Sequence, residues 1–263
     1  MSKFNLFAGK FAGTVASVAL SVALASAAHA DPVTGGVQIN GKAEQSTTVL
    51  GTVDANAVGI ASSAKVRVGS VTRTAVSGNL EQNTFVLGKV SANATGIAAH
   101  AATNIGSVDR AKIDGNLVQD TAVLGVVETN AMGIAAYADT DIGVVDQAEI
   151  AGNVTQSTMV LGKVTNAANG IASGARVDVG KIAKVKVGGN LEQNTFVAGQ
   201  ITNTATGIAS SAVTEIGKIN NVEVGGALTQ TTMVLGAVNT AATGIAAAAC
   251  TSVGTLGDSD CAN

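Results

Sequence analysis

The tripeptide Gly-Ile-Ala begins at Gly59, Gly96, Gly133, Gly170, Gly207 and Gly244, at a constant interval of 37 residues. A second series keeps the same interval. Gln45, Gln82, Gln119, Gln156, Gln193 and Gln230 are each followed two residues later by Thr47, Thr84, Thr121, Thr158, Thr195 and Thr232, and six later by a glycine. A third series pairs Val or Ile with Gly69, Gly106, Gly143, Gly180, Gly217 and Gly254. Six units, 41–77, 78–114, 115–151, 152–188, 189–225 and 226–262, thus follow one another without insertion or deletion. Such spacing marks a solenoid or array, in which each unit buries its apolar face only against its neighbours.

The units read as β-structure. Each carries about five glycines and many β-branched residues, without the i, i+3, i+4, i+7 apolar stripe of a helix. In the second unit Leu80, Gln82, Thr84, Val86, Gly88, Val90, Ala92 and Ala94 take every second place, and those places hold nearly the same residues in all six copies. The places between them vary. Period two means strand, with the constant side inward. After Gly96 the phase slips, and Ile97, Ala99, Ala101 and Ile105 are predicted to take over the inner side, the glycine marking a bulge or corner.

At about 3.3 Å per residue, one unit is a path of roughly 120 Å, too wide a loop for Ala and Val to fill. The coil must be flattened or folded back. Either each unit is one folded layer, or it is two shorter rungs, because Leu87-Gly88-x-Val90 resembles Ile105-Gly106-x-Val108 at an offset of 18. The inside/outside phase does not survive that offset cleanly, which favours one layer. The expected fold is an all-β, β-solenoid of six 37-residue repeats with flattened or Greek-key layers, spanning 41–263 with modified end units.

Buried Gln and Thr cost about 1–3 kcal/mol each when unpaired. Stacking in register would let each Gln amide donate to one neighbour and accept from the other, so the Gln and Thr columns are predicted to be structural ladders. Asn79, Asn116, Asn153 and Asn190, each just after a glycine, suggest another ladder at a corner in left-handed conformation. On the variable side, Thr48, Phe85, Ala122, Met159, Phe196 and Met233 make the strand middle apolar on both faces. Phe85, Met159, Phe196 and Met233 are therefore candidates for a packing or self-association stripe.

Lys3 and Lys10 precede an uncharged run, 11–28, that ends in Ala28-His29-Ala30 before Asp31-Pro32. This is the pattern of a secretory signal, residues 1–30. The run also approaches the length of a bilayer-spanning anchor; the small residues and the proline just beyond favour cleavage. Residues 31–40 form a lead segment, and no transmembrane anchor is expected in the mature chain. Loss of residues 1–30, with two lysines and no acid, takes the formal charge from −3 to −5. That acidity argues against nucleic acid as a partner. With no Trp and only one His left after cleavage, base stacking and histidine chemistry are equally unpromising.

Other candidate sites are weak. Gly174 to Lys181 has one residue too many for a phosphate loop, and Ile182 stands where Ser or Thr is needed. Asp139 with Asp141, and Asp258 with Asp260, match no calcium loop and read as solvated surface. His100 lies on the variable side. No catalytic residue, cofactor or metal is expected. Cys250 and Cys261, eleven residues apart in the last unit, read in an exported chain as a disulfide stapling the final turn, with free thiols the alternative. Both end units depart from type, as caps or as docking ends.

Over residues 41–262 the chain resembles, in repeat style, the repeat-built fibre subunits of bacterial surfaces, the functional amyloids of the curli and Fap kind. It shares the secretory signal, contiguous Gly/Ala-rich units with fixed Gln and Asn, few aromatics and mild acidity. The ordered Ser, Gln, Gly, Asn, Ala and Gln spacing of the curlin unit is absent. The resemblance implies a secreted structural protein at the cell surface or outside a bacterium. It further implies self-assembly into a biofilm or adhesion fibre, with itself, an outer-membrane exporter and a nucleator as partners. A monomeric capped solenoid acting as a binding module, an adhesin tip or an ice-binding face, is the alternative. No enzyme activity is expected of either.

Overall fold

The computed structural model describes residues 19–24, 36–258 and 261. Of the predicted signal only the strand Ala19–Leu24 falls among them; the rest of 1–30, and 31–35 of the lead segment, lie outside the described residues. Each 37-residue turn is a single layer of five strands, except that the last, among the described residues, has four and a lone bridge from Leu256 to Ile219 in the exit position. In the second turn these are an entry strand Thr74–Val76, a glutamine strand Leu80–Val86, a middle strand Lys89–Thr95, an alanine strand Ala98–Ile105 and an exit strand Val108–Asp109. Each pairs in parallel with its counterparts one turn away, residue i against residue i+37. Gln82 thus lies between Gln45 and Gln119, and Ala101 between Ala64 and Ala138. Five parallel sheets run along the stack. Gly88 and Gly106, whose similar surroundings suggested two rungs, are two corners of one layer. The layers are framed from Val37, so the lead segment supplies the first entry strand, Val37–Ile39.

The alternation places the core where period two requires. Leu80, Gln82, Thr84, Val86, Val90, Ala92 and Ala94 are all buried. Two apolar cores result. The larger joins Val86, Val90, Ala94, Ala101 and Ile105 with their equivalents; the smaller joins Leu80 to Val76, Val108 and Ala111 with theirs. Gln82 and Thr84 sit between them, at a waist facing the corner glycines. The narrow arm of middle and alanine strands explains the composition: small side chains let two backbones approach closely.

Two expectations need correction. Ile97, predicted inward, is 53% exposed, and Ile134, Ile171 and Ile208 are each 52% exposed. The turn between middle and alanine strands consumes both Gly96 and Ile97, so the isoleucine projects at the tip, where no sheet lies opposite. The buried phase resumes at Ala99. The left-handed corner is likewise elsewhere. Asn79 and its equivalents have no positive φ. Left-handed residues are instead Arg73, Arg110, Gln147, Lys184 and Asn221, with φ of 51–54°, and the column from Gly69 to Gly254, with φ of 57–61°.

The glycine column is demanding on two counts. At Gly143 φ is +60°, and an added Cβ would collide with Oγ1 of Thr158 and approach its Cγ2 to 3.0 Å. Left-handed strain and overpacking in a filled waist each cost about 1–3 kcal/mol. Gly143→Ala is therefore expected to lose about 2–4 kcal/mol in urea unfolding, and a loss below about 0.5 kcal/mol would contradict this corner geometry.

Candidate functional site

The waist is held by the glutamine column. Each Nε2 donates to Oε1 of the glutamine one turn earlier, at 3.2 Å from Gln82 to Gln45, 3.1 Å from Gln119 to Gln82, and 2.9 Å from each of Gln156, Gln193 and Gln230. The same nitrogens donate to the carbonyls of Gly69, Gly106, Gly143, Gly180 and Gly217. One amide thus ties turn to turn and clamps the two lobes of its layer together. The Asn column works differently from a side-chain ladder: Oδ1 of Asn79, Asn116 and Asn153 accepts the backbone N–H of the asparagine in the next turn at 2.7–2.8 Å.

The threonine column is stacked and buried but forms no hydroxyl ladder. Among the described residues, Oγ1 of Thr47, Thr84, Thr158, Thr195 and Thr232 meets no partner, and Thr121 reaches the Gly106 carbonyl only at 3.5 Å. The hydroxyl ladders lie elsewhere. Within the arm Thr129 donates to Thr103 and Thr140 to Thr129, both at 2.8 Å, and Asn166 donates to Asn203 at 2.9 Å. Neither column of this network is constant: the one at Thr129 holds Ala, Thr or Asn, and the one at Thr103 holds Val or Thr. The signal was a polar residue at an inward place.

A cleft of about 680 Å³ runs along the stack between the outer faces of the alanine and exit strands, with Asp139, Asp141, Arg176, Asp178, Lys181 and Glu215 among its walls. Arg176 bonds Asp178 at 3.0 Å and Glu215 at 2.6 Å; Lys181 bonds Asp178 at 2.9 Å and Glu215 at 2.7 Å; Lys218 bonds Glu215 at 2.6 Å. Asp178, Glu215, Lys181 and Lys218 are all buried. The pairs Asp178–Lys181 and Glu215–Lys218 repeat one spacing in consecutive turns, the one sequence clue to this cluster. In the preceding turn the acid remains as Asp141 but the lysine is Val144.

Asp139 and Asp141 are half-buried in the wall of this cleft, not fully solvated surface. Burial, then the Asp178 charge, pushes Asp139 up to about 6, against Arg176 and Lys181. Burial, with Asp139 and Asp178 beside it, holds Asp141 well above the carboxylate range. Burial opposes ionisation of Glu215 too, yet hydrogen bonds from Lys181 and Lys218 and the Arg176 charge hold it at about 2. Among the described residues no group of three or more His, Cys, Asp or Glu is placed to hold a metal ion. Asp258 is exposed, and Asp260 lies outside the described residues. His100 rests against the Tyr137 ring at 5.5 Å, with burial and Lys65 lowering its pKa.

The outer columns and ends complete the surface. Phe85, Met159 and Phe196 are half-buried and Met233 is exposed, stacked in register. Cys250 and Cys261 are joined in a disulfide that closes one end of the cleft. The last strands Leu228–Val234, Ala237–Thr243 and Ala246–Val253 each stand at a sheet edge. At the opposite end the edge of Ala43–Val49 is taken by Ala19–Leu24, antiparallel, while the middle, alanine, exit and entry strands of the first turn also stand at edges. Comparison with protein-family models, curated proteins and solved structures found no match.

Proposed function

We propose that this is a secreted structural protein whose mature chains stack end to end into an extracellular fibre or surface matrix at a bacterial surface. The observation that carries the reading is that the last turn offers, on unpaired strand edges, the columns with which the first turn begins. Gln230 donates to Gln193 and so ends the ladder with Oε1 free to accept, while Gln45 accepts from Gln82 and begins it with Nε2. A second copy placed one turn beyond would continue the ladder in a head-to-tail, non-closing contact of the kind that makes filaments. Charge agrees: layer 222–258 holds two acids and no base, and layer 37–73 holds four bases against two acids.

Ala19–Leu24 covers the edge of the first glutamine strand and lies within the predicted signal. Cleavage after Ala30 would uncover the whole starting face once the chain is exported. The homopolymer is the principal partner; an outer-membrane exporter, a nucleator and a role in biofilm or adhesion are what the resemblance adds. Purified residues 31–263 are expected to form unbranched filaments by electron microscopy, with a meridional reflection near ~4.8 Å. A chain that stays monomeric in sedimentation at high concentration would overturn the fibre and leave the capped binding module.

A further inference from the structure

We infer that the isoleucine column at the layer tips, from Ile60 to Ile245, is the seam along which two stacks of this chain lie side by side. This rests on the end-to-end assembly proposed above. All six tips hold Ile, although the residue is half exposed or more in every turn, from 52% at Ile134 to 87% at Ile245. Several buried columns are equally constant, among them those of Val86 and Ala101. Others vary: the one at Val108 holds Val, Ile or Leu, and the one at Leu80 includes Ala43 and Val154. Core packing accounts for constancy at those buried places, but not for an exposed tip that is as constant as they are.

The chemistry of the tip narrows the occupant. The four residues of each tip, as in Thr95-Gly96-Ile97-Ala98, include no charged residue in any turn, in a chain of net charge −3. Like-charged copies therefore meet least repulsion here. The glycine keeps the tips in close stack: a Cβ at Gly133 would strike the Gly96 carbonyl. Between Ile171, Ile208 and Ile245 the tips leave an apolar groove of about 430 Å³. The result is a straight row of β-branched side chains repeating every ~4.8 Å. The surface that matches such a row knob for gap is one of the same period, namely a second copy of the row, as in a dry zipper between sheets.

The area sets when the seam forms. Six tips make a strip roughly 29 Å long and about 10 Å wide, or ~300 Å² per chain, against the ~800 Å² per partner that a stable complex buries. Two monomers do not hold. Three or more consecutive chains in a stack reach the required area, so pairing follows elongation.

The test compares residues 31–263 with the triple variant Ile134→Thr, Ile171→Thr, Ile208→Thr, which keeps the β-branch, and with Ile171→Glu alone. Wild-type filaments are expected as pairs twice the width of a single stack, and both variants as single-width filaments of unchanged length and axial spacing. Variant filaments that pair like wild type, or wild-type filaments always of single width, overturn the seam while leaving the fibre intact. Absence of filaments from wild type overturns both. If wild-type monomer floats with phosphatidylcholine vesicles, the variants do not, and filament width is unchanged, the column faces lipid and the seam is refuted.

Discussion

Gln119→Leu is expected to lower the unfolding free energy by about 3–5 kcal/mol, whereas Thr158→Val, one column away on the same buried strand face, should change it by less than about 0.5 kcal/mol or raise it. Leucine keeps the volume of the glutamine but strands its partners. The Gly106 carbonyl loses its amide donor, Gln82 Oε1 loses the N–H that reached it at 3.1 Å, and Gln156 Nε2 loses the acceptor at 2.9 Å while keeping Gly143. Each buried group left unpaired costs about 1–3 kcal/mol, and the low dielectric of the waist sets the higher end. Among the described residues Thr158 Oγ1 has no hydrogen-bond partner to lose, so valine removes only a desolvation cost. Urea titration of the two variants decides the point. Equal losses would mean that the Gln column is filler and that the waist is held by shape alone. Because turns are coupled mainly to their neighbours, Gln119→Leu should also broaden the transition, separating the first two turns from the last three.

These two columns show how far the sequence could be read. A constant 37-residue interval admits one arrangement in which like meets like, so the in-register stack, the parallel pairing and the burial of Gln82 and Val86 were all legible. The hydroxyls of the Thr column were not. Whether Thr84 finds a partner depends on the height of the Gly69 carbonyl opposite, and the neighbouring amide of Gln82 occupies that carbonyl. Ile97 departs from the pattern because parity assigns a side of the strand but cannot tell whether another sheet lies across from it. The corner at Arg73, Arg110, Gln147, Lys184 and Asn221 carried no glycine signal, since only Asn221 has a side chain that commonly accepts left-handed φ. The ionic cluster was hidden for a different reason: Arg176 and Glu215 are diagonal neighbours on paired alanine strands, but Lys181 and Lys218 lie past the glycine corners, and their meeting with Asp178 and Glu215 depends on which way the chain folds there.

That cluster should give the protein a stability optimum in mild acid. Facing Asp141 are Asp139 on its own strand, Arg176, Asp178 and Lys181 from the next turn, and Asn104 from the turn before, with Glu215 and Lys218 beyond. Asp139 rises from 3.8 to about 6, and Asp141 and Asp178 are also raised, in each case because burial penalises the charge first. A carboxyl whose folded pKa lies above its unfolded value binds its proton more tightly in the folded chain. Folding is therefore favoured as pH falls through that folded value toward the unfolded one, and opposed above it. Glu215 has the opposite sign. Held at about 2 instead of 4.5, it contributes stability above its unfolded value that is lost as pH falls toward 2. A tenfold change in proton affinity is about 1.4 kcal/mol, so the displacement of Asp139 alone is on the order of 2–3 kcal/mol. The melting temperature of the mature chain should accordingly rise from pH 7.5 to about 5, level off, and fall below about pH 4. Asp141→Asn should raise the neutral arm and flatten it, since the carboxylate whose lysine is replaced by Val144 is then gone. Glu215→Gln should remove the acid-side decline and lower stability at pH 7, where Lys181 and Lys218 lose the partner they share. A melting temperature that falls steadily from pH 7.5 to 5 would show that the three aspartates are solvated in the folded chain, and that the cleft is open water, not a built ionic ladder.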